Sequence, residues 1–97
     1  MSDQYQSIPL INNAATNRFE ITVDGAVAFI EYKQTQHAIA LLHTEVPKEM
    51  EGRGIAGALV EKTLHYIEKH HLRLIPLCPY VVVYLKRHPE WNRLVAH

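Results

Sequence analysis

The spacing of the apolar residues changes halfway along the chain, and this change limits the possible folds more than any other feature. Through residues 18–32, apolar residues alternate with polar ones, the period of two that half-buried strands show. From Ile55 onward the apolar pattern returns every four residues, through Leu59 and Ile67, which predicts an amphipathic helix over about 55–70. The chain therefore needs a sheet with a helix packed against it.

The first half predicts a β-hairpin. The segment RFEITV alternates as a strand does, and the next two residues, Asp24 and Gly25, are a strong two-residue turn signal. A second alternating segment follows the turn. Residues 37–46 then form a third strand that is apolar almost throughout, which is typical of burial on both faces. Three consecutive antiparallel strands are expected.

The second half predicts a strand–helix–strand unit. RLIPLC, at residues 73–78, is a short strand that follows the helix. A right-handed crossover would pair it in parallel with residues 38–46. Pro79 suits the first turn of a further helix, which would run to about His88 before Pro89 stops it. The expected fold class is mixed α/β, with a hairpin-rich sheet that becomes parallel at one end.

Length and composition favour one domain over residues 1–97, with residues 1–17 as a polar, loosely ordered lead-in that holds at most a short extended piece at 8–11. The formal net charge is zero and the sequence pI is about 7.1, so no large basic field is present to attract nucleic acid. A nucleic-acid partner is therefore not expected.

The cellular setting is expected to be the cytoplasm. The one cysteine, Cys78, cannot form an internal disulfide. The N-terminus lacks the basic region and apolar run of a signal peptide. No stretch approaches the roughly 20 apolar residues of a membrane span.

A glycine-rich turn precedes the long helix. Residues 52–57 read GRGIAG, which matches the letters of a dinucleotide-binding motif. Residues 48–51 separate this motif from its strand, and residues 75–78 lack the acid that would bind a ribose, so we reject that interpretation. A nucleoside-triphosphate loop is rejected because no Gly-Lys-Ser/Thr follows. Two interpretations remain, an anion site at a helix start or a simple turn.

Four short motifs carry a family resemblance. HTEVP at 43–47, GRGIA at 52–56, PLCPY at 76–80 and RHPEW at 87–91 occur in an order and spacing that resemble the small single-domain members of the GNAT superfamily of N-acetyltransferases. The resemblance implies a GNAT-like fold, with three antiparallel strands, a helix, a parallel strand and a C-terminal helix. It also implies acetyl-CoA as the co-substrate, with an amine as acceptor.

The resemblance also implies where coenzyme A would lie. The superfamily signature Gln/Arg-x-x-Gly-x-Gly/Ala falls on residues 51–56, where Glu51 departs from the usual Gln or Arg and Arg53 is a candidate for the missing cation. Pantetheine would pair with the strand before the loop, and Tyr84 would lie near the sulfur, with Tyr80 as the other candidate acid. The implied cofactor-binding residues are Thr44, Glu45, Val46, Glu51, Gly52, Arg53, Gly54, Ile55, Ala56 and Tyr84.

His43 and Cys78 are the candidate catalytic residues. His43 ends the central strand and is a candidate general base, while Cys78 precedes a helix start, where a thiolate is favoured. If their two strands pair, the two side chains can approach each other. Direct transfer with His43 as base and a transient acetyl-cysteine on Cys78 are both open, with direct transfer favoured. From residue type alone, a structural role is the more common one for each, and the matched motifs favour the catalytic interpretation.

The expected function is acetyl transfer from acetyl-CoA to an unidentified amine, either a small molecule or a protein lysine. The alternative is a module that binds coenzyme A or acetyl-CoA with little catalysis, as a sensor or interaction partner. A metal is not expected, because His65, His70 and His71 lie five and six positions apart rather than three or four. The oligomeric state stays open.

Overall fold

The computed structural model describes residues 5–96 and contains the predicted hairpin. Asp24 and Gly25 form its turn with backbone φ angles of 51° and 81°. Two-residue hairpin turns of this kind require positive φ at both central positions, which Gly tolerates fully and Asp better than most residues. The turn signal in the sequence was therefore a reliable guide to the strand pairing on either side.

Five strands form one mixed sheet in the order β1-β2-β3-β4-β5. The first three pairings are antiparallel, and β4 pairs with β5 in parallel, as the crossover predicted. The strands are β1 Ile11–Asn13, β2 Arg18–Val23, β3 Ala26–Gln34, β4 Ala38–Glu45 and β5 Arg73–Pro76. The mixed α/β class and the GNAT-like order of elements are confirmed.

Two α-helices follow the predicted positions. Helix α1 spans Ile55–Lys69, and α2 spans Pro79–Arg87 despite the β-branched residues in its first turns. A 3-10 helix, Pro89–Leu94, comes after α2. Within residues 5–96, no helix has the length and apolar character needed to cross a membrane.

Helix α1 packs against one face of the sheet. Its residues Leu59, Leu64 and Ile67 are fully buried, and so are Phe19 and Ile30 on the sheet. Aromatic contacts reinforce this layer, because the ring of Phe19 stacks on Tyr32 at 4.5 Å and meets Tyr66 of α1 at 4.9 Å between centroids. Burial of these side chains is the main favourable term that holds the helix on the sheet.

The expectation that β4 is buried on both faces is wrong. Ile39 and Leu41 are fully buried, whereas Leu42 is 41% exposed. A bulge explains the change, because Tyr32 pairs with Leu41 and Glu31 pairs with His43, which leaves Leu42 as an extra residue. The strand is apolar, but α1 packs on only one of its faces.

The described part of the lead-in contributes more structure than its polar composition indicated. β1 begins at Ile11, three residues after the start predicted for the short extended piece at 8–11. It pairs with β2, with Ile11 opposite Glu20. Tyr5 lies in the hydrophobic core and is only 4% exposed. Residues 1–4 of the lead-in lie outside the described residues.

Replacement of Leu59 by Ala tests the packing of α1 on the sheet. Loss of a fully buried leucine side chain should lower the free energy of unfolding by about 2–5 kcal/mol, because a cavity remains. The matched control is Leu77→Ala, whose side chain is 60% exposed and should change stability by less than about 0.5 kcal/mol. Urea unfolding measures both, and equal effects would contradict this packing.

Candidate active site

The parallel pairing of β4 and β5 stops before β4 does. The last paired residues are Leu41 and Pro76, and the amides of Leu77 and Cys78 both donate to the carbonyl of Leu41, at 3.1 and 2.8 Å. Beyond that point β4 continues beside β3 as far as Glu45. In residues 5–96, the edge of β4 that faces β5 therefore has no strand partner over 42–45.

A groove of about 450 Å³ lies beside this open edge, and we call it the strand-edge groove. It runs from the end of β4 to the glycine-rich turn and the first turn of α1. Its lining residues are Thr44, Val46, Met50, Glu51, Gly52, Gly54, Ile55, Ala56 and Tyr80. Most of the predicted cofactor-binding residues are thus brought together, although Glu45, Arg53 and Tyr84 are not among its lining residues.

The glycine-rich turn has a backbone that only glycine adopts readily. Gly52 and Gly54 have φ angles of 80° and 79°, in the left-handed region. Gly54 caps α1, whose first turn contains no acidic residue. The free amides at the start of α1 and the helix dipole together favour an anion at this end of the strand-edge groove.

Arg53 makes its side-chain contact away from the groove. Its guanidinium donates to Asp24 Oδ2 at 3.1 Å, across from the tip of the hairpin. This hydrogen bond holds the pKa of Arg53 above its usual range. Glu51 is exposed and lines the groove, whereas the candidate cation Arg53 is paired outside it.

Cys78 contacts Thr44 rather than His43. The thiol Sγ lies 3.2 Å from Thr44 Oγ1, and Cys78 is 3% exposed. Cys78 is also the residue that precedes α2. Its backbone amide donates to the carbonyl of Leu41, where the β4–β5 pairing ends. The thiol therefore lies under the strand-edge groove, next to a lining residue.

His43 lies on the opposite face of the sheet. Thr44 pairs with buried Ile30, while His43 pairs with Glu31, so the two neighbours face opposite ways. His43 Nε2 is 2.6 Å from Glu45 Oε1 on the same face. Within residues 5–96 there is no hydrogen bond between His43 and Cys78, because the bulge in the β3–β4 pairing sets which residues of β4 face α1.

A second groove of about 750 Å³ contains Tyr84, and we call it the helix groove. It adjoins the first at Gly54 and runs along α1 toward Trp91. The ring of Tyr84 stacks on His88 at 4.2 Å. Burial, helped by the carboxylates of Glu61 and Glu90, raises the pKa of Tyr84 to about 12. Of the two candidate tyrosines, Tyr80 is the one that lines the strand-edge groove.

A histidine of α1 and the histidine that follows this helix pack on aromatic rings. His65 meets Trp91 edge-on at 4.9 Å, and His70 lies 4.1 Å from the ring of Tyr66. Among the described residues, no three His, Cys, Asp or Glu side chains come together as a metal site.

Sequence reasoning overlooked two contributors to the site. Met50, which is 3% exposed, lines the strand-edge groove just before the glycine-rich turn. Tyr5 donates from its hydroxyl to the carbonyl of Arg53 at 2.9 Å. The sequence contained a signal for Met50, because it is an apolar residue next to a polar loop. It contained no local signal for the contact between Tyr5 and Arg53, which are 48 positions apart.

The fold and this groove define an acetyltransferase-type domain, and comparison with known proteins identifies its family. Residues 18–94 match the family model described as GCN5-related N-acetyl-transferase. The match covers well over half of the chain, so the protein belongs to this family.

Individual relatives agree with this assignment. Protein NATD1 of Xenopus tropicalis is 31% identical over 90% of this chain and 83% of that protein. Human protein NATD1 is 36% identical over 68% of this chain, and the match spans 58% of that protein. A solution NMR structure of a Staphylococcus aureus protein described as GCN5-like shares the fold, with a TM-score of 0.69 at 21% identity, over 94% of this chain and 90% of the other.

Titration of Tyr84 tests the electrostatics of the helix groove. Burial disfavours the phenolate, so in the folded protein Tyr84 should titrate near 12, above the ordinary value of 10.0. Between these values the unfolded chain loses the proton and the folded chain keeps it, so stability should fall as pH rises through that window.

NMR observation of the tyrosine ring carbons, assigned with Tyr84→Phe, measures this titration. Tyr84→Phe should also flatten the loss of stability at high pH. A Tyr84 that titrates near the ordinary value of 10.0 would contradict the burial of its hydroxyl.

Proposed function

We propose that the protein is an acetyl-CoA-dependent N-acetyltransferase that acts on an amine still to be identified. The observation that carries this proposal is the open edge of β4 over residues 42–45, which leads directly to the amides at the start of α1. An extended ligand with amide groups can add to such an edge as a strand does. A pyrophosphate suits the helix start.

The residues of the strand-edge groove fit the pantetheine and pyrophosphate parts of acetyl-CoA. Backbone groups of Thr44, Glu45 and Val46 would hold the pantetheine amides. The amides of residues 52–56, in a turn that two left-handed glycines shape, would hold the pyrophosphate. Acetyl-CoA held in this way would supply the acetyl thioester beside the open edge of β4 over residues 42–45.

His43 is proposed as the general base on the acceptor side of the sheet. Glu45 accepts a hydrogen bond from Nε2–H of the neutral ring, which leaves the lone pair of Nδ1 free to take a proton. A base in this position removes the proton that the amine nitrogen loses as it forms the amide bond. General-base help of this kind contributes typically about 10²–10⁴-fold.

The surroundings of Cys78 support direct transfer over an acetyl-cysteine. A cysteine nucleophile needs an adjacent base, and the side chain beside Sγ is the hydroxyl of Thr44, which is not a base near neutral pH. Cys78 and Thr44 then shape the floor beneath the thioester, with Tyr80 and Tyr84 as the candidates to protonate the leaving thiolate.

Replacement of Gly54 by Ala tests the pyrophosphate site. A residue with a Cβ is strained at a φ of 79°, so the turn should relax away from its present shape. We expect the affinity for acetyl-CoA to fall about tenfold or more in calorimetry, in line with a strain of about 1–2 kcal/mol.

The matched control for this variant is Gly25→Ala, which carries the same strain at a φ of 81° in the hairpin turn. This variant should lose about as much stability as Gly54→Ala, but its affinity for acetyl-CoA should fall much less. Absence of binding by the unaltered protein at millimolar acetyl-CoA would refute the proposal and the binding-module alternative together.

Replacement of His43 by Ala tests catalysis apart from binding. Loss of the base should lower kcat/KM by about 10²–10⁴-fold over a panel of amines, with acetyl-CoA affinity retained. Cys78→Ala should keep most activity, and exposed His37→Ala should keep all of it. Thiol-release assays measure these rates.

Two outcomes would change this assignment. Acetyl groups trapped on Cys78 by mass spectrometry would replace direct transfer by the covalent route. Tight acetyl-CoA binding with no transfer to any amine would favour the binding module.

A further inference from the structure

The peptide unit between Arg53 and Gly54 adjoins a left-handed glycine in the glycine-rich turn. In a planar trans peptide, the carbonyl and the N–H point in opposite directions. Gly54 lacks a Cβ and has a φ of 79°, so this unit can reverse its orientation at little steric cost. Reversal would turn the Arg53 carbonyl, with its partial negative charge, toward a bound pyrophosphate.

Tyr5 holds this peptide unit from the other side. Its hydroxyl donates to the carbonyl oxygen of Arg53 at 2.9 Å, and its ring is buried in the core with 4% exposure. The segment around Tyr5 is itself anchored. The amide of Ile8 donates to the Tyr5 carbonyl at 3.1 Å, and Lys62 Nζ of α1 donates to the Gln6 carbonyl at 3.2 Å.

The two grooves lie on either side of this peptide unit. Tyr5 and Arg53 line the helix groove, Gly52 and Ile55 line the strand-edge groove, and Gly54 lines both. A carbonyl held toward Tyr5 leaves the N–H of Gly54 on the opposite side. That side is where the proposed function places the pyrophosphate.

We propose that Tyr5 is a positioning residue for the pyrophosphate-binding turn: its hydroxyl holds the Arg53 carbonyl away from the anion and keeps the Gly54 N–H available to it. This inference rests on the proposed function. It assigns a role in ligand binding to the segment before the sheet, which lies outside the residues that match the family model.

A second contact holds the same residue. The guanidinium of Arg53 is paired with Asp24 at 3.1 Å, but both side chains are largely exposed. Exposed ion pairs contribute little, whereas a buried hydroxyl bound to a carbonyl is harder to replace by water. The Tyr5 hydroxyl is therefore the stronger restraint on the turn.

The test compares Tyr5→Phe with the unaltered protein by calorimetry, with acetyl-CoA and with acetyl-pantetheine, which lacks the phosphates and the nucleotide. We expect the Kd for acetyl-CoA to rise about fivefold, the factor that corresponds to one hydrogen bond of about 1 kcal/mol. The Kd for acetyl-pantetheine should not change. Asp24→Asn should also raise the Kd for acetyl-CoA, by a smaller factor, and leave the Kd for acetyl-pantetheine unchanged.

The matched control is Tyr32→Phe. Tyr32 is a core tyrosine with 5% exposure, and its hydroxyl donates to Asn12, away from the turn. This variant should lose comparable stability and keep its affinity for acetyl-CoA. A merely structural role for Tyr5 would make the two variants alike, and that result would overturn the inference.

An NMR measurement separates positioning from direct contact. In the free protein, Tyr5→Phe should shift or broaden the amide signal of Gly54, and the response of this signal to inorganic pyrophosphate should weaken. An unchanged Gly54 amide with weaker acetyl-CoA binding would show that Tyr5 touches the nucleotide instead. If the unaltered protein binds no acetyl-CoA, the proposed function fails; if it binds and Tyr5→Phe binds equally well, only the role of Tyr5 fails.

Discussion

The early end of the β4–β5 pairing is the constraint on which the rest of the site depends. Pro76 has no N–H to extend the ladder, and Pro79 suits the first turn of a helix, so the chain leaves the sheet within three residues. β4 remains in place because β3 supports it on its other edge as far as Glu45. The backbone of β4 therefore has unpaired hydrogen-bonding groups on one edge over 42–45, beside the glycine-rich turn.

The bulge at Leu42 then divides the site between the two faces of the sheet. Thr44 and Cys78 meet on the face covered by α1, and His43 and Glu45 meet on the other. The proposed base, His43, and the thiol of Cys78 thus lie on opposite faces of the sheet. In the proposed mechanism, the thioester would lie on the Thr44 and Cys78 side of β4 and the acceptor amine on the His43 side.

The glycine-rich turn depends on contacts from distant parts of the chain. Its left-handed glycines allow the required backbone shape but do not by themselves select it. Tyr5 from the lead-in and Asp24 from the hairpin tip both bind Arg53, at its carbonyl and at its guanidinium. A small domain with few buried residues can in this way order a loop that composition alone would leave loose.

The sequence by itself determined the hairpin at Asp24-Gly25, helix α1 and the crossover to β5, because each follows from the spacing or turn chemistry of neighbouring residues. It also identified the glycine-rich turn before α1 and the family motifs. Only the tertiary structure decided that Leu42 is bulged, that Thr44 rather than His43 meets Cys78, and that Tyr5 reaches Arg53. These contacts join residues far apart in the chain, and a shift of one residue in strand pairing reverses which side chains share a face, so no local pattern can specify them.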